Sequence, residues 1–206
     1  MGELRFAAIV LAAGKSKRMG TNKLLLKVKG RTILDRLLDT LDESIVDDIY
    51  VVLGHKTEEL EPIVQTHRAQ QIVNPDYKEG MTNSFRAGLR EVSADATFLI
   101  LADQLGLKPD LIESMTLRME SNPEVMIVSP VHEDKRGHPV LFRRSLFPEI
   151  LEMGREENLK DLVDRHNNAH KFVEGDLWCT LDIDTPEEFE RVRRLFEEVP
   201  DNARAR

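Results

Sequence analysis

The chain has 206 residues, of which 41% are hydrophobic and 32% charged, so it is long enough to bury a full core and typical of a globular protein. Its formal net charge of −8 argues against broad binding to nucleic acid or to an anionic membrane. The single cysteine, Cys179, excludes an internal disulfide and a cysteine-only metal cage, and it fits a cytoplasmic location.

The first element is an apolar run over residues 6–13, which predicts a buried strand of a parallel sheet because polar and apolar residues do not alternate. The run leads into residues 14–23, here called the basic loop, which holds two glycines and four cations. The cations are Lys15, Lys17, Arg18 and Lys23. Glycines let backbone N–H groups close around an anion, and cations offset its charge. In an otherwise acidic chain, this loop predicts one specific anionic ligand, bound where an α/β sheet usually holds a phosphate.

Gly14-Lys15-Ser16 is similar to the end of a P-loop, but we reject that interpretation. The P-loop needs another glycine five positions earlier, and Ile9 stands there, inside the predicted strand. The alternative to a phosphate site is a plain glycine turn with a solvated basic face.

Strand and helix patterns alternate after the basic loop, which predicts an α/β fold with a mostly parallel central sheet and helices on both faces. Thr57 is expected to cap the second helix, and Thr82, Asn83 or Ser84 the third. The predicted elements are a helix from residue 32, a strand over 49–53, a helix over 57–67, a strand over 71–73, a helix led by the polar run 79–84, a strand over 96–102, a helix over 108–122 and a strand over 125–131.

The alternation weakens after residue 132. We predict a polar turn over 135–139, a short strand over 140–142, helices over 146–153 and 159–166, and a pair of short strands over 172–173 and 178–181. The last helix opens with Thr185 and Glu188 placed as a capping box. We expect one domain over 1–200 and a frayed tail over 201–206. No apolar run approaches the roughly 20 residues of a membrane span, so we expect no membrane contact.

Three carboxylates are candidates for metal ligands. Asp103 follows the most apolar strand, at the sheet edge where ligands bind in open α/β folds, and such a carboxylate suits Mg²⁺ held with substrate phosphates. Asp182 and Asp184 are two residues apart on an extended segment, so both side chains can reach one metal. The alternatives are that Asp103 caps the following helix and that Asp184 caps the last one.

The histidines indicate a functional site less strongly than the three carboxylates do. His138, in Gly137-His-Pro139, is a candidate ligand-binding residue, although a histidine in a polar turn is more often simply exposed. His166 and His170 have the spacing of two zinc ligands, but no glutamate stands between them and a helix-ending turn is expected there. We therefore do not favour a zinc site.

Several of these residues fall into one family signature. The run Leu11-Ala-Ala-Gly14-x-Ser16-x-Arg18-Met-Gly20-x-x-Lys23 resembles that of the MobA-like nucleotidyltransferases, whose Rossmann-like, GT-A-like fold is similar to that of nucleotide-diphospho-sugar transferases. The resemblance to the family covers about residues 5–195. Four further motifs follow in the family's order: Gly80-Met-x-x-Ser84-x-Arg86-Ala-Gly-Leu89, Ala102-Asp103-Gln104, Gly137-His-Pro-Val140 and Leu181-Asp-Ile-Asp184-Thr-Pro186.

Within the family, the chain resembles the molybdenum cofactor cytidylyltransferase branch. The features are Ala13, where the guanylyltransferase branch has glycine, and the run Asn22-Lys23-Leu-Leu-Leu26. One departure is Leu105, where the family usually has proline after Asp-Gln.

The resemblance implies an enzyme that transfers CMP from CTP to the terminal phosphate of a molybdopterin-type cofactor, with Mg²⁺ and with release of pyrophosphate. It also implies a molybdenum hydroxylase or dehydrogenase that receives the product. Arg18, Lys23 and Asp103 would be catalytic, Asp103 with Asp182 or Asp184 would hold the metal, and His138 and Gln104 would face the acceptor. The implied nucleotide-binding residues are Leu11, Ala12, Ala13, Gly14, Ser16, Arg18, Met19, Gly20, Lys23, Gly80, Ser84 and Asp103.

Three alternatives stay open at this point. The first is guanylyl transfer from GTP to the same cofactor, and the second is cytidylyl transfer to another small phosphorylated acceptor. The third is a carrier that hands the cofactor to a dehydrogenase without turning it over. The complete set of Asp103, Asp182 and Asp184 favours an enzyme, because catalysis needs a metal–phosphate site and carriage does not.

Overall fold

The computed structural model describes residues 4–154 and 156–198, so the tail expected over 201–206 lies outside the described residues. Ten strands and seven α-helices are found in the described part. The strands are β1 (Phe6–Leu11), β2 (Lys27–Val28), β3 (Arg31–Thr32), β4 (Asp48–Leu53), β5 (Ala69–Val73), β6 (Ala96–Leu101), β7 (Ile127–His132), β8 (Lys135–Arg136), β9 (Val140–Arg143) and β10 (His170–Glu174). The helices are α1 (Ile33–Glu43), α2 (Thr57–Val64), α3 (Met81–Leu89), α4 (Pro109–Glu120), α5 (Phe147–Glu152), α6 (Leu159–Arg165) and α7 (Pro186–Glu198).

The central sheet has the strand order β10-β7-β9-β6-β1-β4-β5, with β8 as a hairpin on β7. β1 lies between β4 and β6 and runs parallel to both, so Leu11 is level with Val52 and Leu101. β9 is antiparallel to β6 and to β7, and all other neighbours on this path are parallel. The mostly parallel sheet expected from the sequence is confirmed. The carboxyl ends of β1, β4 and β6 therefore meet at one edge.

Helices cover both faces of the sheet. Ala8 and Val10 of β1 join a core with residues of α1, α2, α4 and α7, whereas Ala7 and Ile9 join a second core with residues of α3, α5 and α6. A strand buried on both sides needs apolar residues at every position, which is why β1 shows no polar alternation. Each fully buried Val or Ile of this kind contributes roughly 1.5–3 kcal/mol.

α3 approaches β1 closely because of Gly88. A Cβ on that residue would lie 2.6 Å from Ile9 Cγ2 and 3.1 Å from Val52 Cγ2. A larger side chain would therefore push the helix off the sheet. The close contact holds the start of α3 near the carboxyl ends of β1 and β4.

Two helix starts follow the sequence signals. The Thr32 hydroxyl accepts a hydrogen bond from Asp35 N at 3.2 Å and caps α1. At α7, Glu188 Oε2 accepts from the backbone N–H of Thr185 at 2.9 Å, and Thr185 Oγ1 accepts from Glu188 N at 3.2 Å. The capping box expected at Thr185 and Glu188 is confirmed.

Other helix starts differ from expectation. α2 begins at Thr57, so Thr57 is not its cap, and its hydroxyl instead donates to Gly54 O at 3.2 Å. This helix ends at Val64, three residues earlier than expected. α3 begins at Met81, after Gly80 with φ +107°. The polar residues over 82–84, proposed as caps, lie within its first turns, because glycine permits a backbone turn that starts the helix earlier.

The chain after residue 132 holds two further corrections. The polar turn expected over 135–139 includes the short strand β8, which pairs with β7 across a hairpin. The strand expected over 178–181 is wrong, because Leu177–Thr180 forms a 3-10 turn, and β10 pairs with β7 instead. The Asp176 carboxylate accepts from Trp178 N at 3.1 Å and so favours the turn over an extended strand. Across residues 4–154 and 156–198, no helix combines the length and the apolar character needed to cross a bilayer.

Candidate functional site

A cavity of about 780 Å³ opens at the carboxyl ends of β1 and β6. It is lined by the basic loop, by the segment that leads into α3, by the end of β6 and by Asp182 and Asp184. Ten of the twelve residues proposed for nucleotide binding line it, and the two that do not are Met19 and Gly20. The site predicted from the sequence is therefore one continuous cavity rather than scattered motifs.

The backbone of the basic loop explains the two exceptions. Ser16 has φ +46°, and Lys17–Met19 forms a 3-10 turn that ends at Gly20 with φ +67°. The Met19 side chain is buried in the core that includes α1, so it holds the loop against that core. Gly20 allows the left-handed turn that returns the chain. Both residues shape the loop, whereas the neighbouring cations face the cavity.

A second short turn, Lys23–Leu25, places Lys23. The Asn22 carboxamide oxygen accepts from Leu24 N at 3.2 Å, and Ser16 Oγ accepts from Lys23 N at 3.3 Å. The serine of the signature thus ties the two halves of the basic loop together. This leaves the Lys23 side chain directed at the carboxylates across the cavity.

Five of the charged residues that line the cavity lie close to one another, and we call them the site cluster: Arg18, Lys23, Asp103, Asp182 and Asp184. Lys23 Nζ donates to Asp103 Oδ2, to Ile183 O at 2.8 Å and to Asp184 Oδ1 at 3.1 Å. Arg18 donates to the other oxygen of Asp184. Burial lowers the pKa of Lys23, but the nearby charge and hydrogen bonds of Asp103 and Asp184 outweigh it and raise the pKa above its usual value.

The three carboxylates are not equivalent. Burial raises the pKa of Asp184, but the hydrogen bonds and charges of Lys23 and Arg18 lower it overall. Partial burial, followed by the charges of Asp103 and Asp184, raises the pKa of Asp182 instead. Asp182 therefore faces net negative charge, whereas the other two face cations.

The donors at this point suit a hard cation. The Lys23 ammonium is itself held by carboxylate and carbonyl oxygens, which are the ligands that Mg²⁺ and Mn²⁺ take. In the described part of the chain, no group of three or more His, Cys, Asp or Glu is arranged to hold a metal unaided. Mg²⁺ needs only one or two carboxylates when substrate phosphates complete its shell. The residues present fit such an open site.

Gln104 and His138 do not line the cavity. Gln104 is buried, and neither its Oε1 nor His138 Nδ1 has a hydrogen-bond partner among the described residues. His138 N donates to Cys179 O at 2.8 Å, which fixes the backbone of the Gly-His-Pro segment. Burial lowers the pKa of His138, against the opposing charges of Asp182 and Asp103. His138 thus lies near two of the metal-binding candidates, and Gln104 directly follows one of them, Asp103, in sequence.

Ser84 has a structural contact that the sequence did not reveal. Its hydroxyl is buried and accepts from Asn74 Nδ2 at 3.2 Å, and the same amide donates to Asn83 Oδ1 at 2.9 Å. Asn74 Oδ1 in turn accepts from Asp76 N at 3.0 Å. This network fixes the segment between β5 and α3 along the cavity.

Sequence reasoning missed several lining residues, among them Tyr77, Lys78 and Met81. Tyr77 carries no recognisable motif, and only its place between a turn signal at Asn74-Pro75 and Gly80 could have drawn attention to it. Lys15 and Lys17 were counted among the cations of the basic loop but were given no role, although both line the cavity.

His166 and His170 have different partners. His166 Nε2 is 2.7 Å from Glu149 Oε2, whereas His170 Nε2 is 3.0 Å from Ser129 Oγ and its side chain is buried. Each histidine thus has a structural contact of its own.

Comparisons with known proteins point to one family. The profile of the MobA-like NTP transferase domain matches residues 8–171. The chain is 27% identical to the molybdenum cofactor cytidylyltransferase of Escherichia coli (strain K12), over 93% of this chain and 97% of that protein. It is 32% identical to the purine catabolism protein PucB of Bacillus subtilis (strain 168), over 91% of this chain and 96% of that protein.

Among solved structures, Rv0371c from Mycobacterium tuberculosis H37Rv superposes with a TM-score of 0.82 at 26% identity, covering 94% of this chain and all of the other. A second structure of that protein is a complex with manganese, with a TM-score of 0.75 at 27% identity, covering 95% of this chain and all of the other. The similarity thus extends over nearly the whole described fold.

Proposed function

The chain belongs to the MobA-like NTP transferase family and is a nucleotidyltransferase, and from this premise we propose that it transfers CMP from CTP to the terminal phosphate of molybdopterin-type cofactor. Pyrophosphate is released, and the reaction uses Mg²⁺. The product then passes to a molybdenum hydroxylase or dehydrogenase. The similarity to the cytidylyltransferase of Escherichia coli and the Ala13 signature support the choice of base and acceptor.

The proposal rests on the ion pairs between cations and carboxylates inside the site cluster. Arg18 and Lys23 come from the basic loop, Asp103 from the end of β6, and Asp184 from the start of α7, yet all meet at one cavity. Cations that can hold a triphosphate thus face carboxylates that can hold a metal. Nucleotidyl transfer needs both sets at the α-phosphate.

The residues act by positioning and electrostatics. In the proposed reaction an oxygen of the acceptor phosphate attacks the α-phosphorus of CTP. The bond from that phosphorus to the bridging oxygen breaks, and the electron pair leaves with pyrophosphate. The attacking phosphate is largely ionised at pH 7, since its second pKa is about 6, so no general base is required. Lys23 and Arg18 would stabilise the negative charge that develops around the α-phosphorus.

Binding of the triphosphate would change the partners of the cluster. Its oxygens replace Asp103 and Asp184 as acceptors for Lys23 and Arg18, and the released carboxylates can then hold the metal with Asp182. When bound, Mg²⁺ supplies further neutralisation of phosphate charge. The manganese complex of Rv0371c supports use of a divalent cation in this fold. The same proposal has His138, which lies near Asp103 and Asp182, and Gln104, which follows Asp103 in the chain, contact the acceptor.

The alternatives differ in base, acceptor or turnover. GTP could replace CTP, and another small phosphorylated molecule could replace the cofactor. The name of the PucB relative does not mention molybdenum cofactor, so sequence identity by itself does not choose the acceptor. A non-catalytic carrier would not need the paired cations and carboxylates of the site cluster.

A pyrophosphate assay separates these functions. The purified protein is incubated with Mg²⁺, molybdopterin cofactor and each of the four nucleoside triphosphates, beside an Asp103→Asn control that keeps the shape of the side chain. We expect pyrophosphate with CTP at a rate well above the control. No release above the control with any triphosphate would favour the carrier, and release with GTP alone would move the assignment to guanylyl transfer.

A further inference from the structure

The cavity is lined both by charged residues and by small or apolar residues with one aromatic ring. Lys15, Lys17, Lys78 and the site cluster supply the charges. The uncharged lining includes Leu11, Ala12, Ala13, Tyr77, Met81 and Leu101. A nucleoside triphosphate needs both kinds of lining, charges for its phosphates and an uncharged surface for its base. Because Ala13 is the residue that distinguishes the cytidylyl signature, the base is expected beside Ala13 and Tyr77.

Tyr77 is fixed by its contact with Gly54, at the end of β4. A Cβ built on Gly54 would lie 2.7 Å from both Cβ and Cγ of Tyr77, and 2.9 Å from Ala13 Cβ. No side chain fits there, so the tyrosine packs directly on the backbone of Gly54. Ala13 adjoins the same glycine. The residue that distinguishes the cytidylyl signature and the tyrosine are thus two parts of one wall.

Two cationic side chains and one histidine ring lie close to the tyrosine ring. Lys15 Nζ lies 5.8 Å and Lys78 Nζ 6.0 Å from the ring centroid, and the ring of His55 is 6.1 Å away at an interplanar angle of 35°. Cations within about 6 Å of an aromatic face are attracted to it. The ring is therefore held by packing on Gly54, by Lys15 of the basic loop and by its chain neighbour Lys78.

Backbone contacts keep this wall in place. Ala13 O accepts from His55 N at 3.3 Å, Ala12 N donates to Val52 O at 2.9 Å, and Asn74 N donates to Leu53 O at 2.8 Å. The start of the basic loop, the end of β4 and the segment before Tyr77 are thereby joined. These bonds fix the backbone segments that carry Ala13 and precede Tyr77.

We propose that Tyr77 determines base specificity, because its ring, packed beside Ala13, leaves space for a single-ring pyrimidine and excludes a two-ring purine. This inference rests on the proposed function to the extent that the ligand is a nucleoside triphosphate. Tyr77 acts on the base and takes no part in the transfer itself. Because Ala13 and Tyr77 adjoin one glycine, substitutions at the two positions should have non-additive effects on base preference.

The test measures binding of CTP and of GTP without the acceptor, by isothermal titration calorimetry, for the intact protein and for Tyr77→Ala and Tyr77→Phe. The readout is the ratio of the GTP and CTP dissociation constants, so a general weakening of binding cancels. We expect this ratio to fall at least about tenfold in Tyr77→Ala, since removing the ring opens the space that a purine needs. Tyr77→Phe keeps the ring and should change the ratio by less than about twofold.

Three results would overturn the inference. They are an unchanged ratio in Tyr77→Ala, an equal change in Tyr77→Phe, which would assign discrimination to the hydroxyl, and tighter binding of GTP than CTP by the intact protein. Thermal unfolding of each variant shows whether it is folded. A ratio that follows Tyr77 in a protein without transferase activity would support this inference and overturn the proposed function, so the two can fail separately.

Discussion

Two groups of facing charges on this molecule differ in how their carboxylates are paired. The site cluster holds three carboxylates and two cations, and its Asp182 faces the other two carboxylates. The second group, here called the helix cluster, joins α1 to α2 and to the residues that flank them. It consists of Arg31, Asp35, Asp39, Asp42, His67 and Arg68.

The charges of the helix cluster are paired with one another. The His67 side chain, 4% exposed, lies 2.6 Å from Asp42 Oδ2 and 3.1 Å from Asp35 Oδ1. Arg31 Nε contacts Asp35 at 2.5 Å, and Arg68 Nε is 3.5 Å from Asp42 Oδ1. The hydrogen bond from Arg31 is the main reason that the pKa of Asp35 is lowered. Every carboxylate here has an opposite charge beside it.

In the site cluster, Asp182 differs, since partial burial and two neighbouring carboxylates raise its pKa. Charges that hold a fold together are paired with one another, whereas a carboxylate that faces like charges favours a bound cation. We therefore assign stability to the helix cluster and chemistry to the site cluster, and the following changes test that division.

The largest expected effect is on turnover in Asp103→Asn. Loss of this carboxylate should lower kcat about 10²–10³-fold, because a charge that acts on the reacting phosphates is removed. The free energy of unfolding should change little, since Asp184 still pairs with Lys23. Steady-state kinetics and urea unfolding measure the two quantities.

Asp42→Asn is the matched control in the helix cluster, and it should lower stability by about 1–2 kcal/mol with normal kcat. The same pattern in both variants would remove the distinction.

Lys23→Met should lower kcat by about 10²-fold, because an ammonium that stabilises phosphate charge is lost. It should also tighten binding of Mn²⁺ to the nucleotide-free protein by about tenfold, since the ammonium no longer competes with the metal for Asp103 and Asp184. Electron paramagnetic resonance of Mn²⁺ measures this directly. Arg31→Met, in the helix cluster, is the control and should leave Mn²⁺ affinity unchanged. Weaker Mn²⁺ binding in Lys23→Met would contradict the assigned metal site.

His67→Leu tests the helix cluster from the opposite direction. The substitution keeps an apolar volume between α1 and α2 but removes both contacts to carboxylates, so we expect a loss of about 1–3 kcal/mol in the free energy of unfolding. The kcat/KM for the nucleotide should stay within about twofold. A large loss of activity in a folded variant would show that this cluster serves the site after all.

His170, which is not part of the site, should make the free energy of unfolding depend on pH. Burial, and next the charge of Arg136, lower its pKa from 6.5 to about 4. The unfolded chain therefore takes up a proton that the folded chain refuses, and stability falls as pH decreases from about 6.5 towards 4. Between pH 7 and pH 5 this amounts to about 2 kcal/mol. Urea unfolding at both pH values should show a smaller loss in His170→Gln, and equal losses in both proteins would refute the assignment.

The first strand and the basic loop could be predicted from the sequence because their signals are local. A continuous apolar run gives a strand buried on both sides, and the glycines and cations that follow are read directly. Asp103 could be placed at the same edge because parallel strands end together. The inward position of Met19 could not be predicted, since nothing in a loop of glycines and cations shows that one apolar side chain is buried beneath it.

Other parts of the site depend on packing that one sequence does not reveal. The contact of Tyr77 with Ala13 needs Gly54, which lies 23 residues before Tyr77 along the chain. The pairing of Asp184 with the basic loop depends on the start of α7. The strand expected over 178–181 failed because the Asp176 side chain competes for the backbone there. The competing contact is local, but a side-chain hydrogen bond of this kind is not visible in a pattern of apolar residues.

We infer that the site cluster transfers a nucleotide to a phosphorylated cofactor. Mass spectrometry of molybdopterin cofactor, after incubation with the protein, CTP and Mg²⁺, tests it most directly. We expect the cofactor to gain one CMP unit, and to gain none with Asp103→Asn. A cofactor of unchanged mass, with CTP intact and the protein folded, would contradict the account.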